Sequence, residues 1–108
     1  MTDKLVVLIT ASKMEEAQNI AEALIQQRLA ACVNIVPQIT SVYRWKGEVC
    51  RDTEVLLVVK TDRQQFAELE QAVKQVHSYE VPEIIALPIE VGSQAYLTWV
   101  DESLGGKR

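Results

Sequence analysis

One histidine and two cysteines in 108 residues leave this chain few of the side chains that most often carry chemistry. Two cysteines, Cys32 and Cys50, are too few to staple a domain of this length, so a disulfide scaffold is excluded and a reducing cytoplasm is the expected setting. No stretch approaches the ~18 consecutive apolar residues that a membrane helix requires. The apolar run Leu5-Val6-Val7-Leu8-Ile9 is followed at once by Ser12-Lys13-Met14-Glu15-Glu16 with no cleavage pattern, which argues against a secretory signal. A basic surplus is missing too: the net charge is -4, so neither nucleic acid nor an anionic membrane is an expected partner. There is no Gly-rich phosphate loop, zinc-finger cysteine pair, H-E-x-x-H or G-x-S-x-G elbow. On these grounds no catalytic residue is assigned and an enzyme is not expected.

What is present is a globular composition, 48% hydrophobic and 24% charged, sized for one domain over residues 1–108. Lys4 to Thr10 is a solid apolar run that reads as a strand buried on both faces. Ser12-Lys13-Met14-Glu15 has the spacing of a capping box, with Glu15 reaching back. Met14, Ala17, Ile20, Ala21, Leu24 and Ile25 then recur at helical spacing to about Arg28, with Glu16, Gln18 and Glu22 on the opposite, polar face. Ala30 to Val36 reads as a strand interrupted by Pro37. Gln38 to Trp45 and Glu48 to Thr61 read as extended runs joined by a Lys46-Gly47 turn, which would set Trp45 opposite Glu48 and Tyr43 opposite Cys50. Asp62 offers a second cap before a helix carrying Phe66, Leu69, Ala72, Val73 and Val76. Ile84 to Val91 is a further strand and Ser93 to about Ser103 a closing helix. The Gly105-Gly106-Lys107-Arg108 tail reads as frayed.

This order, βαββαβ plus a C-terminal helix, predicts an α+β ferredoxin-like sandwich with both main helices on one face of an antiparallel sheet. One strand is too long for it. Glu48 to Thr61 extends ~46 Å at ~3.3 Å per residue, against a radius of gyration near ~13 Å for a domain of this size. The hairpin must project as an arm, and it carries Val42, Tyr43, Trp45 and Val49. That much apolar surface on a strand pair invites another chain, so a homo-oligomer with the arm and Trp45 at its interface is expected.

The candidate site is His77-Ser78-Tyr79-Glu80-Val81-Pro82-Glu83, where a helical pattern stops and a strand begins. His77 can act as acid, base or metal ligand, with Glu80 and Glu83 to hold its tautomer or share a cation. From residue chemistry alone the leading reading is that it caps the preceding helix, whose carbonyl end favours a cation. Cys32, between Ala31 and Val33, reads as a small buried hydrophobe or as a soft ligand for Cu(I) or Zn. Lys60 either snorkels to solvent or points into a cleft and pairs with Glu80, Glu83 or an anionic ligand. Trp45 is a packing anchor or a wall of that cleft.

Ala30-Ala31-Cys32-Val33-Asn34-Ile35, Ser41-Val42-Tyr43-Arg44-Trp45-Lys46-Gly47, Val59-Lys60-Thr61, His77 to Ala86 and Tyr96-Leu97-Thr98-Trp99, in this order, resemble the CutA divalent-cation-tolerance family. The resemblance implies a cytoplasmic homotrimer with intertwined hairpins, built like the PII signalling proteins. It also implies a link to tolerance of divalent metals, above all copper, with no settled catalytic activity. It places Trp45, Lys60, Tyr79, Glu80 and Glu83 around an inter-subunit cleft for a metal ion or small anionic ligand, with His77 and, more remotely, Cys32 as metal ligands. In some bacterial relatives the proposed copper ligands are a cysteine late in the first strand and two adjacent histidines. Here Ile9 and Val76-His77 stand at those positions, leaving His77 as the one match, and Ser78 replaces the usual proline. A PII-like module that binds a small ligand or a protein partner is the alternative.

Overall fold

A computed structural model describes residues 2–105 of the chain. Strand β1 (Lys4–Ala11) leads to helix α1 (Met14–Gln26), strands β2 (Cys32–Trp45) and β3 (Glu48–Asp62), a short 3-10 turn (Arg63–Gln65), helix α2 (Phe66–Val76), strand β4 (Ile84–Pro88) and helix α3 (Gln94–Ser103). The sheet has the order β2-β3-β1-β4, every neighbouring pair antiparallel, as a ferredoxin-like sandwich requires.

Strand alternation explains the core. Leu5, Val7 and Ile9 of β1 and Val55, Leu57 and Val59 of β3 stand on one face and pack with Ala17, Ile20 and Leu24 of α1 and Leu69 and Val73 of α2. The opposite face is not closed. Val6 and Leu8 are only half-buried there, and Val36, Ile85 and Leu87 are 39–52% exposed. The expectation that β1 is buried on both faces therefore holds for one face only within a single chain.

Several boundaries differ from the sequence reading for local reasons. Helix α1 ends at Gln26, and Arg28 takes a left-handed conformation at φ 57° that no continuing helix allows. Pro37 does not end a strand. β2 continues through it by a bulge between Val36 and Ile39, with Gln38 at φ 59°, and an edge strand loses no ladder bond to a proline. β4 stops at Pro88 instead of Val91, although the Ile89 amide still reaches the Lys4 carbonyl at 3.0 Å. Val76, assigned to the buried stripe of α2, is 53% exposed on the last turn. Asp62 does cap the next turn, accepting from the Gln65 amide at 3.1 Å, and Ser93 caps α3. The end of α3 is pinned to β1 by Lys4, whose ammonium lies 2.6 Å from Asp3 and 2.8 Å from Asp101. Gly105 donates to the Glu102 carbonyl at 3.1 Å; the frayed tail expected at residues 106–108 lies outside the described residues.

The arm is the feature that shapes the molecule. β3 pairs with β1 only from Val55 to Asp62, so Ile39–Trp45 and Glu48–Glu54 have each other alone. The molecule reaches 46 Å along its long axis against 25 and 22 Å across. At the tip Lys46 and Gly47 have φ of 51° and 82°, the double positive values of a type I′ turn. Trp45 pairs with Glu48 and Tyr43 with Cys50, the register the turn dictates.

Candidate functional site

The bulge at Pro37 and Gln38 decides which side chains reach the site. It inserts one extra residue into β2, since Val36 pairs with Leu56 while Ile39 pairs with Glu54. Side-chain parity therefore flips, and Ser41, Tyr43 and Trp45 share a face with Asp52 and Glu54. That face forms one wall of a cleft of about 670 Å³. The other wall is the segment between α2 and β4, contributing Ser78, Tyr79, Glu80, Val81 and Glu83, with Thr10 of β1 also lining it.

The second wall is held by a buried polar chain. The His77 side chain is fully buried at the end of α2. Its Nε2 lies 2.7 Å from the Thr10 carbonyl oxygen, an obligate acceptor, so Nε2 carries the proton. Nδ1 accepts the Tyr79 amide at 3.0 Å. With one nitrogen donating and the other accepting, His77 has no lone pair left for a metal, which corrects its assignment as a metal ligand. The capping alternative is right in position, but the imidazole bonds β1 and not the α2 carbonyls.

Beside it stands Glu16, which helical spacing assigns to the polar face of α1. It is 9% exposed. One carboxylate oxygen accepts from the Ser12 amide at 2.9 Å and the Ser12 hydroxyl at 2.8 Å; the other accepts from the Ser78 amide at 2.7 Å and lies 3.7 Å from His77 Nδ1. Glu16, not Glu15, thus reaches back to Ser12, and it binds the segment after α2 as well. Burial pushes its pKa up, but the hydrogen bonds from Ser12 and Ser78 outweigh burial and hold it down at about 2.

Tyr79 completes the chain. Its ring packs on His77 with centroids 4.8 Å apart, and its hydroxyl donates to the buried Glu54. Burial first and the Glu54 bond second raise the phenol above its ordinary value. Tyr43 donates likewise to Asp52, and that bond, with a smaller contribution from burial, raises it to about 12. Both phenols therefore enter neutral chemistry as donors, not as phenolate ligands.

Trp45, Tyr79, Glu80 and Glu83 line this cleft of the single chain; Lys60 does not line it. It sits opposite Val6 and Cys32, at the other end of the sheet from Thr10, and its ammonium bonds the Asn34 side chain. Cys32 is beside it, with Sγ 3.8 Å from Asn34 Oδ1. It is half-buried and, within one chain, stands well along the sheet from His77, so the two do not meet there. Tyr96 of α3 shares this second cluster; burial, then Cys32, raises its phenol.

The charge of the cleft follows. Its lining carries Glu54, Glu80 and Glu83 and, among the described residues, no Lys, Arg or His. Of the metal ion or small anionic ligand expected from the sequence, such a lining favours the cation. It is not a ready copper site: among the described residues no three His, Cys, Asp or Glu side chains converge to hold a metal, and no sulfur or imidazole donor is among the residues that line it. Sequence reasoning missed Glu16 and Glu54. The only local signal for Glu16 was its four-residue spacing from Ser12; Glu54 lay hidden in a strand.

A family model described as CutA1 divalent ion tolerance protein matches residues 5–103. A divalent-cation tolerance protein CutA from Thermus thermophilus is 56% identical over 100 residues, covering 93% of this chain and 97% of that relative. A solved structure of the divalent cation tolerance protein from Thermus thermophilus superposes with a TM-score of 0.92 at 55% identity, over 94% of this chain and 99% of that one. The mouse protein CutA is 48% identical over 94 residues, 87% of this chain, which spans only 53% of the mouse protein's length.

Proposed function

The chain belongs to the CutA1 divalent ion tolerance family, and on that premise we propose a non-enzymatic homotrimer whose acidic clefts take up divalent cations where subunits meet. The observation that carries this reading is the cleft lining: Glu54, Glu80 and Glu83 with no basic side chain among the described residues. Carboxylate oxygens suit Mn(II), Zn(II) or Cu(II) better than soft Cu(I). Glu54 is already engaged by Tyr79, so Glu80 and Glu83 supply the first donors and a neighbouring subunit completes the site. Weak, rapidly exchanging binding is the consequence, in keeping with a role in tolerance and response to metal ions.

Assembly has its own support. The open sheet face exposes Val36, Ile85 and Leu87, and the arm exposes Val42 at 56% and Val49 at 68%. Apolar surface on this scale is the mark of a covered face. The number three rests on the family resemblance. A cytoplasmic setting is supported by two free cysteines, Cys32 and Cys50; no described helix is long and apolar enough to cross a membrane.

Calorimetric titration of Mn(II), Zn(II) and Cu(II) tests the reading. Glu83→Gln, and Glu80→Gln with it, should weaken binding by about tenfold or more if these are direct ligands. Equal affinity in wild type and double variant would remove the cation role.

A second reading, a PII-like module for a small organic ligand or protein partner, is favoured by the size of the cleft, about 670 Å³. That volume suits an organic molecule as well as an ion, and Tyr43, Trp45 and Tyr79 offer it aromatic walls. Ligand-dependent capture of a defined partner, with no response to divalent cations, would favour this second reading.

A further inference from the structure

The cleft offers more than a metal ion needs. Its volume of about 670 Å³ lies within the ~300–1,000 Å³ of sites for small organic molecules. Its carboxylates are also spread out. Glu54 comes from β3, Glu80 and Glu83 from the segment after α2, and among the described residues no three such groups converge. A divalent ion needs convergence, because one centre must take several oxygens at about 2.0–2.6 Å. Ammonium groups do not, since each can satisfy one carboxylate on its own. Beside the acids stand Val42, Tyr43, Trp45 and Val81, apolar surface that a hydrated ion cannot use. Indole rings attract ammonium groups, and Trp45 already has the Lys46 Nζ 5.9 Å from its ring centroid.

Glu54 supplies the sharpest detail. It is 6% exposed, and one carboxylate oxygen takes the Tyr79 hydroxyl. The other has no hydrogen-bond partner among the described residues. It is not sealed in either, since Asp62 Oδ2 is the one fully buried, unpartnered side-chain polar atom among those residues. Glu54 lines the cleft, so this oxygen opens into it. A carboxylate that has given up most of its water and keeps one bare oxygen calls for a positively charged N–H donor.

We propose that the cleft binds a linear aliphatic polyamine, with ammonium groups on Glu54, Glu80 and Glu83 and methylene segments against Tyr43, Trp45 and Val81. The inference rests on the reading of the cleft as a cation site and deepens it: an organic polycation shares Glu80 and Glu83 with divalent ions. Affinity should rise steeply with the number of ammonium groups, because a monoamine can answer only one of the three carboxylates.

Calorimetric titration of the assembled protein with spermidine at physiological salt tests it. Spermidine should bind at least about tenfold tighter than n-butylamine. Glu54→Gln keeps an acceptor for the Tyr79 hydroxyl but loses the bare charged oxygen, and should weaken spermidine about tenfold. Trp45→Leu should weaken it about threefold to fivefold and leave Mn(II) binding unchanged, since a metal ion has no use for the indole. Glu15→Gln/Glu68→Gln alters exposed acids of α1 and α2 outside the cleft and should leave spermidine binding unchanged. Circular dichroism and gel filtration check folding and assembly; where Trp45→Leu fails to assemble, Glu54→Gln decides alone. No spermidine binding by wild type, equal binding by Glu54→Gln, or an equal loss in the Glu15/Glu68 variant overturns the proposal. Spermidine binding without Mn(II) binding keeps the polyamine site and removes the divalent-cation reading; Mn(II) binding without spermidine binding does the reverse.

Discussion

The two walls of the cleft are opposites. The wall after α2 is over-determined: His77, Glu16, Ser12, Ser78 and Tyr79 satisfy one another and Thr10 across elements far apart in sequence, and Tyr79 ties this wall to Glu54 at the base of the arm. The arm has a β-ladder, a turn and exposed side chains, with nothing of its own chain behind most of its length. A site made of one fixed and one extended wall is adjustable from one side only. In the proposed assembly that side would be the one to reach other copies. Stability should reside in the first wall and assembly in the second, and substitutions can pull these apart.

The largest effect on folding should come from Glu16→Ala. It strips the acceptor from the amides of Ser12 and Ser78 and should lower stability by about 3 kcal/mol in urea unfolding. His77→Ala, which leaves the Thr10 carbonyl and Tyr79 amide without their partner, should cost about 2 kcal/mol. A loss below about 0.5 kcal/mol, the scale of an ordinary surface change, for either variant would mean that this wall is not the rigid one.

The same residue sets a pH dependence. The Glu16 pKa is about 2 in the folded chain against an ordinary 4.5, so the unfolded chain binds the proton more readily. Its contribution is then fully present above about 4.5 and is lost as pH falls toward 2. In Glu16→Gln, thermal unfolding should lose that part of the acid slope; an identical slope in both proteins would contradict the assignment. Tyr79→Phe, which removes one hydroxyl from Glu54, should cost about 1 kcal/mol. Val49→Ser at the arm should change the fold of one subunit by less than about 0.5 kcal/mol, yet measurably speed dissociation of the assembly on dilution. Equal effects on folding and assembly would erase the contrast between the walls.

The contrast also explains what was legible in the sequence. The arm was readable because its determinants are local: Lys46-Gly47 fixes the turn, and the turn fixes the pairing of Tyr43 and Cys50. The strand and helix order was legible for the same reason. Glu16 was misread because Ser78, its partner, is 62 positions away, and helical spacing reports only which face a residue occupies. His77 looked like a ligand because its type allows one, while the Thr10 carbonyl that occupies it is 67 positions away. Lys60 was placed with Glu83 around an inter-subunit cleft, and strand register within one chain sets it opposite Val6, away from Thr10. The bulge at Pro37 and Gln38 was read as an interruption, and its effect, turning Tyr43 and Trp45 toward the cleft, depends on pairing that no single strand reveals.

The most direct test of the account uses Mn(II) as a paramagnetic probe on isotope-labelled assembled protein. Broadening should be confined to the Trp45 indole and the amides of residues 79–83, with Cys32, Asn34 and Lys60 untouched. Broadening centred on Cys32 and Lys60, or spread evenly over the surface, would contradict a carboxylate-lined cation cleft between the arm and the segment after α2.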